Sequence, residues 1–189
     1  MDIDWNERLV EQLDWHWREH LRPRLDGMSD AEYFWEPVPG WSLRRRGESS
    51  APIAVGAGEY VVEFAFPQPD PPPVTTIAWR MAHLIVGVFG ARVASHFGGP
   101  ALDWEKFEYA DTAAGALAQL DEVYAAWVAG VRGLGNDGLA VPCGPAEGPW
   151  AEFSMADLVL HINREAIHHG AEIALLRDLY RGKGAEDGI

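Results

Sequence analysis

From Asp4 onward the chain is polar, with apolar positions Trp5, Leu9, Leu13 and Trp17 at four-residue spacing and with Glu7 three residues after Asp4. That spacing is one face of a helix and the Asp/Glu pair is a start signal, so a first helix is predicted over residues 4–22, ending near Pro23. A second is predicted over 75–96: Thr75 and Thr76 follow prolines 71–73 as caps, no proline interrupts the run, and Gly98, Gly99 and Pro100 stop it. Asp111 or Thr112 opens a third over 112–132, and Ser154 with Asp157 opens a fourth over 155–180. Residues 27–73 are rich in Gly, Pro, Ser and Arg; they hold a capping pair, Ser29 and Glu32, and the alternating stretch YVVEFAF, the pattern of a small strand. This segment reads as one long decorated connection. Residues 101–110 form an acidic loop, 133–152 a Gly- and Pro-rich loop, and 183–189 a flexible tail. The chain shows no internal repeat. Four long helices with two long connections predict an all-α four-helix bundle with long decorated loops, as one domain over residues 1–189.

On a helical wheel of the fourth helix, Asn163, Gly170, Arg177 and Arg181 share one narrow sector, read as the solvent side. Opposite lie His161, Glu165, His168 and Glu172 as one polar stripe, flanked by Leu160, Ala171 and Leu175 on one side and by Leu158, Ile162, Ile173 and Leu176 on the other. The stripe is therefore expected to face the interior. Buried histidines and carboxylates cost several kcal/mol unless a metal, other polar groups or a wet cavity compensates them. His169, ~70° from the centre of the stripe, reads as a packed or surface residue. On the second helix His83 shares a face with Trp79, Val86, Gly87, Gly90 and Ala94, a narrowed side that a neighbour or ligand can approach closely. His16 on the first helix is a further inward candidate, and His96 reads as a helix-end cap.

Composition narrows the chemistry. Fifteen basic against 29 acidic residues give a net charge of −14, which argues against nucleic acid as a partner. No apolar run approaches the ~20 residues of a membrane span, and the N-terminus opens acidic, so a soluble cytoplasmic protein without a membrane partner is expected. The single cysteine, Cys143, excludes an internal disulfide framework and reads as a buried filler. Trp35, Trp41, Trp79, Trp104 and Trp150 fall in or beside the loops around the bundle mouth, where they line an aromatic pocket for a small molecule or plug the core. The chain has no phosphate-binding loop, no HExxH and no GxSxG, and Arg44, Arg45 and Arg46 read as a solvated loop or an anion clamp.

The helix order, TTIAWRMAHL in the second helix and NREAIHHGAE in the fourth resemble the DinB-like superfamily of four-helix proteins. LDWHWREHLRPRLDGMSDAEYFWEPVPGW looks like the form found in its actinobacterial members. The resemblance implies a metal-dependent hydrolase, or a transferase using a low-molecular-weight thiol such as mycothiol, with a small-molecule substrate and a homodimeric assembly. It also implies a divalent metal, zinc or nickel, held by one histidine of the second helix and an HxxxH of the fourth. His83 matches the first ligand and His168 the last, while Arg164 stands at the middle position and cannot ligate a metal. Glu165, His161 or His16 is then the third ligand, with Glu165 alternatively the catalytic base. In the other reading the metal has been lost, Arg164 binds an anionic cofactor or an interior acid, and the protein is a non-catalytic small-molecule-binding or stress-response member.

Overall fold

A computed structural model describes residues 3–186. Helix α1 (Trp5–His16) starts where its cap predicts, the Asp4 carboxylate accepting the Glu7 N–H at 3.0 Å. It continues through a π-helical turn, Trp17–Leu21, and a 3₁₀ turn, Arg22–Leu25, in whose first residues Pro23 sits without breaking a bond. The following connection is more ordered than its composition suggests. It opens with α2 (Asp30–Tyr33), held by a reciprocal Ser29 and Glu32 capping box. It then forms a three-stranded antiparallel sheet of β1 (Leu43–Arg45), β2 (Ile53–Val55) and β3 (Tyr60–Phe64), with β3 central. YVVEFAF thus supplies the middle strand. Its partners are three residues long, too short to leave a period in the sequence.

The second long helix comprises α3 (Ile77–Ala82), a π-helical stretch His83–Gly90 and α4 (Ala91–Phe97), capped by the Thr76 hydroxyl on the Trp79 N–H at 3.2 Å. By length and composition Ile77–Phe97 would suit a membrane span, contrary to the expectation that no run comes close; here most of it is buried against α5 (Ala113–Arg132) and its other neighbours in the bundle. The loop after α5 contains α6 (Gly135–Leu139) and the 3₁₀ turn Pro145–Trp150. Helix α7 (Met155–Glu186) outruns its predicted end, so residues 183–186 are helical rather than a loose tail, and 187–189 lie outside the described residues. Trp127, Phe89, Leu13, Leu120 and Ile162 are fully buried between the four long helices. Trp17 stacks on Tyr124 at 3.9 Å, and the Tyr124 hydroxyl donates to Asp14 at 2.7 Å.

The faces of α7 differ from the wheel reading. Asn163 and Arg177, assigned to solvent, are 3% and 2% exposed, while Leu160, Leu175 and Leu179 point outward. Asn163 Nδ2 donates to the Leu9 carbonyl at 2.9 Å and to Gln12 Oε1 at 3.1 Å. Arg177 donates to Glu32 at 3.0 Å, to the Asp26 carbonyl at 2.8 Å and to the Arg24 carbonyl. Gly170 packs against α1's extension, where a Cβ would meet Leu21 Cδ2 at 2.5 Å. The wheel assigned sides by polarity, but each of these polar side chains finds its partners on another element, and a satisfied polar group can be buried.

Candidate metal centre

His83 begins the π-helical stretch, a local widening of the helix that recurs at functional sites. Its ring lies between those of Trp79, at 5.5 Å, and Trp104, at 6.2 Å. Trp104 reaches this position by lying over Gly87, where a Cβ would come within 2.7 Å of the indole. From α7 the His169 ring meets His83 edge-on at 4.7 Å, and Glu165, one turn earlier, brings its Oε2 to 3.4 Å from His169 Nε2. One ligand-type atom each from His83, Glu165 and His169 lies within 4.8 Å of the other two.

Further polar groups orient this cluster. His169 Nδ1 is 2.7 Å from Glu172 Oε2, and Arg80 Nη1 reaches the same carboxylate oxygen at 2.7 Å. In the tautomer that donates Nδ1–H to Glu172, His169 has its Nε2 lone pair toward the Glu165 carboxylate. Two acceptors then face each other at 3.4 Å, an arrangement that a cation between them satisfies. Burial, reinforced by His169, Arg80 and Arg92, pushes the pKa of His83 down to about 4, so its imidazole is neutral at physiological pH and has a lone pair to offer. The donor set therefore fits a divalent metal: two imidazoles, one carboxylate and a second-layer carboxylate on the histidine.

The structure brings His83 and Glu165 together, and His169 rather than His168 joins them. His168 points outward with a 63% exposed side chain, its Nε2 3.5 Å from Glu172. Arg164 is also exposed and donates to His161 Nδ1 at 2.9 Å, so no guanidinium intrudes from that position. His161 is half-exposed at the edge of the cluster, 3.8 Å from Glu165 Oε1. Half-buried His16 lies beside His20, with ring centres 6.0 Å apart, and takes no part in the donor cluster. His168 instead forms a second, more exposed group of ligand-type atoms with His169 and Glu172, while the residues that face His83 are Glu165 and His169, one position on from Arg164 and His168. The adjacent His168 and His169 offer two registers, and residue type alone does not choose between them. The usable signal was the pairing of His169 with Glu165 four residues before it and Glu172 three after, both at helical contact spacing.

A cleft of about 620 Å³ opens onto His83, walled by Trp41, Phe64, Trp79 and Trp104 and rimmed by Ile53 of the sheet. Trp79 is anchored by donating its indole N–H to the Glu63 carbonyl at 2.8 Å. The expected aromatic pocket is therefore built by Trp41, Trp79 and Trp104. Trp35 packs edge-on against Tyr180 instead, and Trp150 lies at a different cleft.

Comparison with curated proteins and with solved structures gave no match. The family model of the DinB superfamily matches residues 12–173, a span that runs from the last part of α1 into α7 and takes in every member of the donor cluster. By that match and by its mostly helical architecture, the chain belongs to the DinB superfamily.

Proposed function

We propose that the chain is a metal-dependent enzyme that binds one divalent cation, zinc or nickel, on His83, Glu165 and His169. One observation carries this reading: three ligand-type atoms within 4.8 Å of one another at the end of an aromatic cleft. Two histidines and a carboxylate are a set used by catalytic zinc sites, which keep a further position for water or substrate. When bound, such a metal lowers the pKa of a water or thiol toward neutrality and so supplies a nucleophile. The chain's residues have separable tasks. Glu172 orients His169 through its Nδ1, Arg80 pairs with Glu172, neutral His83 keeps its lone pair, and Glu165 contributes a carboxylate. Trp41, Trp79 and Trp104 hold the apolar part of a small substrate and exclude water. His161 stands at the edge of the cluster, 3.8 Å from Glu165. The reaction class is hydrolysis, or transfer of a low-molecular-weight thiol to a small electrophile.

Elemental analysis of protein purified without added metal, and again after incubation with zinc or nickel, tests the reading. One equivalent is expected, and it should be lost in both His83→Ala and His169→Ala. A second reading, a non-catalytic binding protein, rests on Arg80: its Nη1 lies 2.7 Å from Glu172 and 3.1 Å from His169 Nδ1, placing a positive charge in the cluster without a metal. Protein that takes up no metal even from excess would favour it.

A further inference from the structure

A second cleft, of about 560 Å³, opens where α4, the start of α7 and the Pro145–Trp150 turn meet. Trp150, Phe153 and Leu158 give it apolar walls, and the first two are 60% and 56% exposed. Most of its charged groups are already paired. Glu147 lies 2.9 Å from His96 Nε2 and accepts from Arg92 at 3.2 Å, while Arg92 also donates to the Gly87 carbonyl at 2.5 Å. Asp157 accepts the N–H and hydroxyl of Ser154 at 3.1 and 2.6 Å, and so serves to cap α7.

Arg164 is the exception. Its polar partner is His161 Nδ1 at 2.9 Å, itself a cleft residue, and among the described residues no carboxylate lies within ion-pair distance of its guanidinium. In a chain of net charge −14 this is unusual. Of the other described arginines only Arg46 lacks a carboxylate within 4.0 Å, and it donates to the carbonyls of Gly56 and Gly58 instead. An unneutralised guanidinium at the edge of an apolar hollow offers a bidentate grip to one planar anion. Nearby Glu147 and Asp157 disfavour a dianion.

We propose that this cleft binds a small monoanionic organic acid, with its carboxylate on Arg164 and its aromatic or aliphatic body against Trp150 and Phe153. The inference does not depend on the metal. The cleft borders the donor cluster through His161 but uses none of the donors, so metal-free protein is the right sample.

Isothermal titration of metal-free protein at pH 7 with indole-3-acetate, phenylacetate and octanoate, each beside its primary amide, reads the proposal directly. At least one acid should bind saturably at one equivalent, about tenfold or more tighter than its amide. Arg164→Gln, a surface change that leaves the circular dichroism intact, should weaken the acid about tenfold and leave the amide unaffected. Trp150→Ala should weaken both, and Phe66→Ala, at the rim of the other cleft, neither. The proposal is overturned if no acid binds by about 5 mM, if acid and amide bind alike, if Arg164→Gln leaves the acid's affinity unchanged, or if Phe66→Ala is what abolishes binding.

Discussion

Two polar clusters sit on the inner side of α7, about two turns apart, and they are built from similar residues. In one, Arg177 donates to Glu32, to the Asp26 carbonyl and to the Arg24 carbonyl, while Glu32 also takes Arg181 at 3.0 Å and the Ser29 N–H at 2.8 Å. In the other, His169 and Glu165 face each other across 3.4 Å, His161 stands 3.8 Å from Glu165, and Arg80 Nε is buried without a partner. The first cluster is closed: donors and acceptors are matched, and it ties α7 to the turn after α1 and to α2. The second leaves the Arg80 Nε donor unmatched, brings ligand-type atoms of His83, Glu165 and His169 within 4.8 Å of one another, and ends at an open cleft. Buried charge alone therefore does not mark a site on this helix. Polar atoms that converge unmatched beside open space do.

The contrast breaks most visibly at Arg177. Arg177→Met should cost about 3–5 kcal/mol, because it leaves Glu32 in a nearly dry site with only Arg181 and Ser29, and frees two carbonyls. In a chain of this size that lowers the melting temperature by about 10 °C. The same measurement on His83→Ala, without metal, should show a smaller loss, since its cluster is open. A larger loss for His83→Ala would reverse the assignment of structural and functional roles.

Acid sharpens the comparison next. Burial opposes ionisation of Glu32, but the Ser29 N–H, Arg177 and Arg181 outweigh it and hold the carboxyl below its ordinary value of 4.5. Folded Glu32 then binds fewer protons than unfolded Glu32 in the range below that value. Its contribution is fully present above about pH 4.5 and is lost as pH falls through the lower folded-state value. Urea midpoints from pH 7 to pH 3 should fall on the acid side, with Asp14, Glu36 and Glu147, also lowered, acting in the same direction. Glu32→Gln should start lower at pH 7 and fall less steeply. An equally steep fall in the variant would move the acid sensitivity to those other carboxylates.

The sequence disclosed what depends on neighbours along the chain. Asp4, Ser29, Thr76, Thr112 and Ser154 each cap a helix through a bond three residues on, and those local signals put the long helices close to their observed limits. His83 and Glu165 were legible for a similar reason, as polar residues on otherwise apolar faces. What could not be read was distant pairing. Glu32 is 145 residues from Arg177, and the Leu9 carbonyl is 154 from Asn163, so polarity on a wheel wrongly assigned both α7 residues to water. The same error of side hid His169 behind its neighbour His168. The sheet was legible only at its middle strand, in YVVEFAF, because its partners Leu43–Arg45 and Ile53–Val55 are too short to show a period.

The smallest effect is also the sharpest test of register. Because Arg164 and His168 face outward, Arg164→His should leave the affinity of the His83-dependent metal equivalent within about twofold of the parent, despite creating an HxxxH with His168. Two exposed histidines one turn apart can still hold a metal weakly. Any binding the change adds should therefore appear as a second equivalent that survives His83→Ala. Glu165→His makes the complementary change in the inward register, replacing the carboxylate with a third imidazole beside His83 and His169. It should keep one equivalent that still disappears with His83→Ala. Calorimetric titration with zinc and nickel separates these cases by stoichiometry as well as affinity. If Arg164→His tightens the His83-dependent equivalent, the inward pair is Arg164 and His168 after all, and the cluster built on Glu165 and His169 is not where the metal goes.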